Sequence, residues 1–224
     1  MSLIEELRKC RVIDLTQKII PGKAKGPLDT GRRKMEIKPF HYPPGELMHK
    51  IQMESHIGTH VEAPSHWVTV KYNREGKDIS QLDVDTFIGE SIFIDLSKFD
   101  KKQSIEPEHF EDAGVAAGYI VIIGNSLHSG KDRPFMSYEA ARWLADNRVK
   151  VVGFDDTIYP EDPKVGTDNL ELYHTHDFLL SNDIPIIEGL INLSQIDNKK
   201  FFIIGTLIPV VGLEAFPIRV MALV

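Results

Sequence analysis

Hydrophobic positions along this chain fall into short β-rich runs separated by polar, glycine- or proline-bearing stretches. The runs are Val12–Thr16, Ser91–Leu96, Tyr119–Gly124, Val149–Asp155, Phe201–Gly205 and Arg219–Val224, rich in β-branched or aromatic side chains. Runs of this length read as buried strands. Helical periodicity is scarcer. Ser137 is placed to cap a helix reaching Asn147, with Glu139 in its first turn and Ala140, Ala141 and Leu144 turned inward. A second helix is expected over 167–180, with Leu170, Tyr173 and Leu179 or Leu180 on its apolar side. Stretches 21–50 and 68–80, rich in proline, glycine and charge, are expected to be loops over a site. No repeat or linker divides the pattern, so the expected class is mixed α/β, a β-sheet core with flanking helices in a single domain over 1–224.

Composition sharpens this picture. With 42% hydrophobic and 26% charged residues the chain can bury a core, and its net charge of -7 argues against nucleic acid as partner. No apolar stretch approaches the ~18 residues of a membrane helix. Glu5 and Glu6 interrupt the place where a signal peptide has its apolar run, so a cytoplasmic protein is expected. A single cysteine, Cys10, leaves no intrachain disulfide and no thiolate cluster, and nothing around it marks a nucleophile. One basic stretch, Lys23, Lys25, Arg32, Arg33, Lys34 and Lys38, is a candidate contact for an anionic substrate, or simply a solvated loop.

The chemistry is concentrated in Ser55–Trp67. His56, His60, Glu62 and His66 occupy even positions, so in extended chain all four leave one face. At a strand's rise His60 and Glu62 lie ~6.6 Å apart and converge easily, whereas His56 and His60 lie ~13 Å apart. Gly58 and Pro64 supply places to bend. The helical H-E-x-x-H alternative fails, because Ile57 follows His56 where the general-base glutamate would stand. Imidazole and carboxylate without thiolate suit zinc, manganese or iron better than calcium or magnesium. Neither a G-x-S-x-G elbow nor a P-loop or dinucleotide glycine fingerprint is present.

His56-Ile57-Gly58-Thr59-His60-Val61-Glu62-Ala63-Pro64-Ser65-His66 resembles the H-x-G-T-H-x-D-x-P-x-H signature of the cyclase family of metal-dependent hydrolases, which includes kynurenine formamidases and isatin hydrolases. V-I-D-L-T (Val12–Thr16), D-I-S-Q-L (Asp78–Leu82), Asp95-Leu96-Ser97, V-G-F-D-D (Val152–Asp156), His176–Leu180 and Ile187–Leu190 follow the family order too, so the resemblance covers nearly the whole chain. It implies a swivelling β/β/α-like fold. It also implies that His56, His60 and Glu62 bind a first metal, that His176 binds a second, and that Glu62 and Glu188 bridge the two. His66 would be the general acid/base. For His174 a surface or supporting role is expected. Two departures stand out. Glu62 replaces the usual Asp and reaches ~1.3 Å further from its Cα, and Pro21–Gly26 lacks the aromatics that formamidases carry there, leaving Phe40, Tyr42 or Trp67 to replace them.

The implied cofactor is one or two divalent ions, Zn2+ first and Mn2+ next. An ion held by neutral imidazoles lowers the pKa of its water toward ~7 and polarises a carbonyl, with His66 moving the proton. That reading gives a hydrolase of a small amide, formamide or lactam. A cyclase, dehydratase or lactone hydrolase using the same ion, and a metal-binding protein without turnover, stay open beside it. The expected partners are a small-molecule carbonyl substrate and, by resemblance, copies of the same chain in a homodimer or homotetramer.

Overall fold

The computed structural model describes residues 5, 7–22, 34–163 and 169–224. Its main sheet runs β1 (Val12–Asp14), β12 (Ala215–Leu223), β11 (Lys200–Leu207), β5 (Ile88–Asp95), β7 (Ile120–Gly124), β9 (Val151–Asp155), β10 (Ile186–Leu190) and β4 (His60–Glu62). β5, β7, β9 and β10 are parallel, and the remaining pairs are antiparallel. The sheet closes on itself. One edge of β12 meets β11, while its other edge pairs first with β4 and then with β1.

Closure gives the central strands two buried faces, so they read as nearly continuous apolar runs. Ile120 and Ile122 of β7 point into the ring with Phe93, Val151 and Ile187. Val121 and Ile123 point outward beneath the helices, with Ile92, Ile94 and Phe154. Gly153 lies where a Cβ would meet Ile122 Cδ1 at 2.7 Å and Leu190 Cδ1 at 2.9 Å, so glycine permits this packing.

Four helices of two turns or so are described: α1 (Ser65–Tyr72), α2 (Pro107–Ala113), α3 (Tyr138–Asp146) and α4 (His174–Ser181). α3 starts as its sequence dictates, with Ser137 Oγ accepting from Ala140 N at 3.0 Å. Among the described residues no helix is long and apolar enough to cross a membrane.

Several expected boundaries are corrected. The loop expected over 21–50 contains a hairpin of β2 (Met35–Tyr42) and β3 (Glu46–Met53). Neither face is buried, so no period-2 apolar signal marks it. The loop expected over 68–80 holds the rest of α1, whose Val68, Thr69 and Val70 are weak helix formers, and a 3-10 turn at Ile79–Gln81. The helix expected over 167–180 begins only at His174, after a 3-10 turn at Leu170–Leu172. Helix α2 was not expected, although Pro107 at its first turn and Gly114 at its end are the usual punctuation. Lys23, Lys25, Arg32, Arg33 and most of the Pro21–Gly26 turn lie outside the described residues.

Candidate metal centre

The Gly58-Thr59 pair is what bends the histidine segment into place. Gly58 has a φ of +65°, a left-handed conformation open to glycine. Its carbonyl lies so close to β10 that a Cβ on Gly189 would fall 2.7 Å from it. That carbonyl accepts from His60 Nδ1 at 3.0 Å and so aims Nε2 into the site. Thr59 then ties the strand down: its hydroxyl donates to Gly189 O at 2.6 Å and accepts from Gln17 N at 2.9 Å.

Beyond this turn, β4 carries His60 and Glu62 on its helix-facing side while Val61 enters the ring. The antiparallel register sets Glu188 of β10 directly opposite His60, with His60 Nε2 3.8 Å from Glu188 Oε2. Pro64 then opens α1, whose second residue is His66, and α4 lowers His176 onto the same spot. Thus His56, His60, Glu62, His66, His176 and Glu188 are all brought together, from two strands, two helices and the turn before β4.

Glu62 is the hub. It is almost fully buried, and its two oxygens face different histidines. Oε1 lies 3.0 Å from His56 Nδ1 and 3.8 Å from both His60 Nε2 and His66 Nε2. Oε2 lies 3.2 Å from His176 Nε2. The extra methylene relative to aspartate therefore does not stop the carboxylate from facing both groups. Among the described residues three donor sets each have their atoms within 4.8 Å of one another: His56/His60/Glu62 and Glu62/His66/His176, which share this residue, and His56/His66/Glu214. His174 stays apart, its ring edge-on to Tyr138 at 4.7 Å.

The electrostatics call for positive charge at this point. Burial would raise the Glu62 carboxyl, but the facing rings of His176, His56 and His60 hold it well below the ordinary range. Burial would lower His176, yet Glu161 and Glu62 push it well above the ordinary imidazole value. His60 behaves alike: burial is outweighed by Glu62 and Glu188, and its pKa is raised. His66 goes the other way, lowered by burial and by the neighbouring His56 and His176 despite the pull of Glu62. Two observations fit a cation. His60 Nε2 and Glu62 Oε2 are buried without a hydrogen-bond partner, a costly state that a metal ion relieves. The donors are imidazole and carboxylate only, a set suited to divalent transition metals.

Two carboxylates here carry no local motif and were missed by sequence reasoning. Glu161 accepts from His176 Nδ1 at 2.7 Å and from the backbone N of Thr175 and His176, each at 3.0 Å. Glu214, just before β12, accepts from Ser55 Oγ at 2.6 Å and faces His56 Nε2 at 3.3 Å. Only the fold brings them in. Among the aromatics expected near the site, Trp67 lies against His176 with ring centroids 5.7 Å apart, whereas Phe40 and Tyr42 are exposed on the hairpin.

Known proteins resemble this chain in sequence and in fold. The chain is 26% identical to a kynurenine formamidase of Bacillus cytotoxicus over 175 residues, covering 76% of this chain and 77% of that one. It is 25% identical to the Cyclase-like protein 1 of Oryza sativa subsp. japonica, covering 96% of this chain and 80% of that one. The structure of isatin hydrolase A from Labrenzia aggregata superposes with a TM-score of 0.78 at 22% identity, over 99% of this chain and 96% of that one. The Cyclase family model matches residues 13–159, a span that contains His56–His66 and ends before His176 and Glu188. On that match, which takes in well over half of its length, the chain belongs to the Cyclase family.

Proposed function

We propose that this chain is a metal-dependent hydrolase that cleaves the non-peptide C–N bond of a small formamide, amide or lactam. The observation that carries the reading is a buried carboxylate ringed by four histidines, with His60 Nε2 and Glu62 Oε2 left without a hydrogen-bond partner. The similarity to kynurenine formamidases points to the bond type.

His56, His60 and Glu62 would hold one divalent ion and His176 a second, with Glu62 offering one oxygen to each side and Glu188 closing the ring. Zinc is the first candidate and manganese the next, from the nitrogen and oxygen donors. Such ions supply Lewis acidity, polarising a carbonyl and making water nucleophilic near neutral pH. His66 is the residue left to move protons. It is half-exposed, and its lowered pKa keeps the ring neutral and able to accept a proton at Nε2. Trp67 supplies an apolar wall beside His176.

The exposed hairpin supports an assembly of copies. Ile37, Phe40, Leu47, Met48 and Ile51 are all exposed there, and a lone two-stranded hairpin is marginal in water. A second copy covering it would form a homodimer or homotetramer. A reducing, cytoplasmic setting suits the lone cysteine.

The test is a panel of N-formyl anilines, isatin-like lactams and lactones, assayed with Zn2+ and Mn2+ separately. Turnover of formanilides or lactams is expected. Turnover of lactones alone would replace the reading with an ester hydrolase, and no turnover by metal-replete protein would remove it.

A further inference from the structure

The histidines around Glu62 share a pattern that the ligand assignment alone does not require. Each of three rings turns one nitrogen toward the centre and the other toward an acceptor outside it, hydrogen-bonded for His60 and His176 and facing at 3.3 Å for His56. His60 points Nε2 inward and anchors Nδ1 on Gly58 O. His176 points Nε2 at Glu62 and anchors Nδ1 on Glu161. His56 is reversed: Nδ1 faces Glu62 and Nε2 faces Glu214. Among the described residues His66 shows no such outer anchor.

A neutral imidazole carries one N–H, and a carboxylate or carbonyl can only accept. An outer acceptor therefore fixes which nitrogen keeps the proton and frees the other lone pair for an ion. Metal-binding histidines commonly donate their far N–H to a carboxylate in this way, which sets the tautomer and strengthens the ligand.

From this geometry we infer that Glu214 and Glu161 are positioning residues that select opposite ring nitrogens, Nδ1 of His56 and Nε2 of His176, for presentation to the metal. The inference rests on the metal reading above and deepens it. The two supports differ in strength. The Glu161 side chain is only 14% exposed and also takes two backbone N–H groups at the start of α4, so ring and helix are fixed together. The Glu214 side chain is 37% exposed and divides Oε1 between Ser55 and His56.

Two measurements on the full chain test this, with zinc alone as the probe. The first is the zinc affinity of wild type, Glu214→Gln and Glu161→Gln, by competition with a chromophoric chelator. Each variant should bind ~10- to 100-fold more weakly. Glu214→Gln keeps a carbonyl for the Ser55 hydroxyl and lies near the surface, so it separates ligand orientation from folding. The second is the nitrogen-15 spectrum of the histidine rings in zinc-loaded wild type. It should show His56 bound through Nδ1 with its proton on Nε2, and His60 and His176 bound through Nε2. A merely structural role for the carboxylates would shift the unfolding midpoint of the chelator-treated protein without setting the ring nitrogen. Unchanged affinity in both variants, or His56 bound through Nε2, would overturn the inference while leaving the metal reading intact. No zinc binding by wild type would overturn both.

Discussion

The two halves of the metal centre are built in different ways. The near half, His56, His60, Glu62 and His66, comes from one short stretch of chain, shaped by the Gly58 turn and by strand β4. The far half, Glu161, His176 and Glu188, is collected from a loop, a short helix and strand β10. Backbone pairing within the closed sheet holds the near half, since β4 is hydrogen-bonded to both β10 and β12. Glu188 shares that pairing, but side chains hold the α4 part of the far half: Asp177 of α4 accepts from Trp67 Nε1 at 2.8 Å, Tyr72 Oη at 2.7 Å and Lys71 Nζ at 3.1 Å, all on α1. A site built this way has a fixed side and a hung side. Damage to the two should therefore have different consequences.

Removing the hub should erase the difference. Glu62→Ala is expected to lose bound metal and turnover together, with activity down by ~10³-fold or more, since the ions supply several kcal/mol. Metal analysis beside the activity assay checks it, and a variant that keeps full metal content would show that Glu62 is not shared between the halves.

Cutting each half separately should sharpen it. His60→Ala is expected to abolish metal binding, whereas His176→Ala should retain one of two ions, as counted by elemental analysis of the purified variants. Equal stoichiometry after both cuts would mean one ion shared by both halves. His66→Ala should leave metal content near normal and lower turnover by ~10²-fold or more. Loss of metal in that variant would make His66 a ligand.

The side-chain attachment of the far half predicts a smaller effect on stability. Asp177→Asn should cost ~1–3 kcal/mol in denaturant unfolding, because the carboxylate serves three donors of α1. Burial pushes the Asp177 carboxyl up, but Tyr72, Trp67 and Lys71 outweigh it and hold its folded pKa below the ordinary range. A depressed folded pKa contributes stability that is complete above the unfolded value and is lost as pH falls through the folded one. The deficit of Asp177→Asn should accordingly shrink in acid. A deficit independent of pH would mean that packing, not charge, joins α1 to α4.

The smallest expected effect lies furthest from both halves. Replacing Phe40 and Met48 by serine should shift the sedimentation profile toward single chains with little change in metal content. An unchanged profile would show that the hairpin is not the contact between copies.

Much of this molecule could be read from its sequence. Ile120–Ile123 had to form a buried strand because apolar side chains on both pleat faces need cover on both sides. Ser137 had to start a helix because its hydroxyl satisfies an end N–H. The spacing of His56, His60, Glu62 and His66, with Gly58 and Thr59 between them, marked a cluster of metal-type donors, since side-chain direction follows from residue number over so short a span. Local pattern could not show the β2–β3 hairpin, which buries neither face, or α1, whose β-branched residues oppose its helix. Nor could it show Glu161 and Glu214, single carboxylates among 33 acidic residues with nothing nearby to set them apart. Their role depends on a His ring nitrogen 15 residues away in one case and on the far end of the chain in the other. Closure of the sheet through β12 and β4 decides the second of these distances, and long-range pairing of this kind is a property of the whole packed chain, not of any segment.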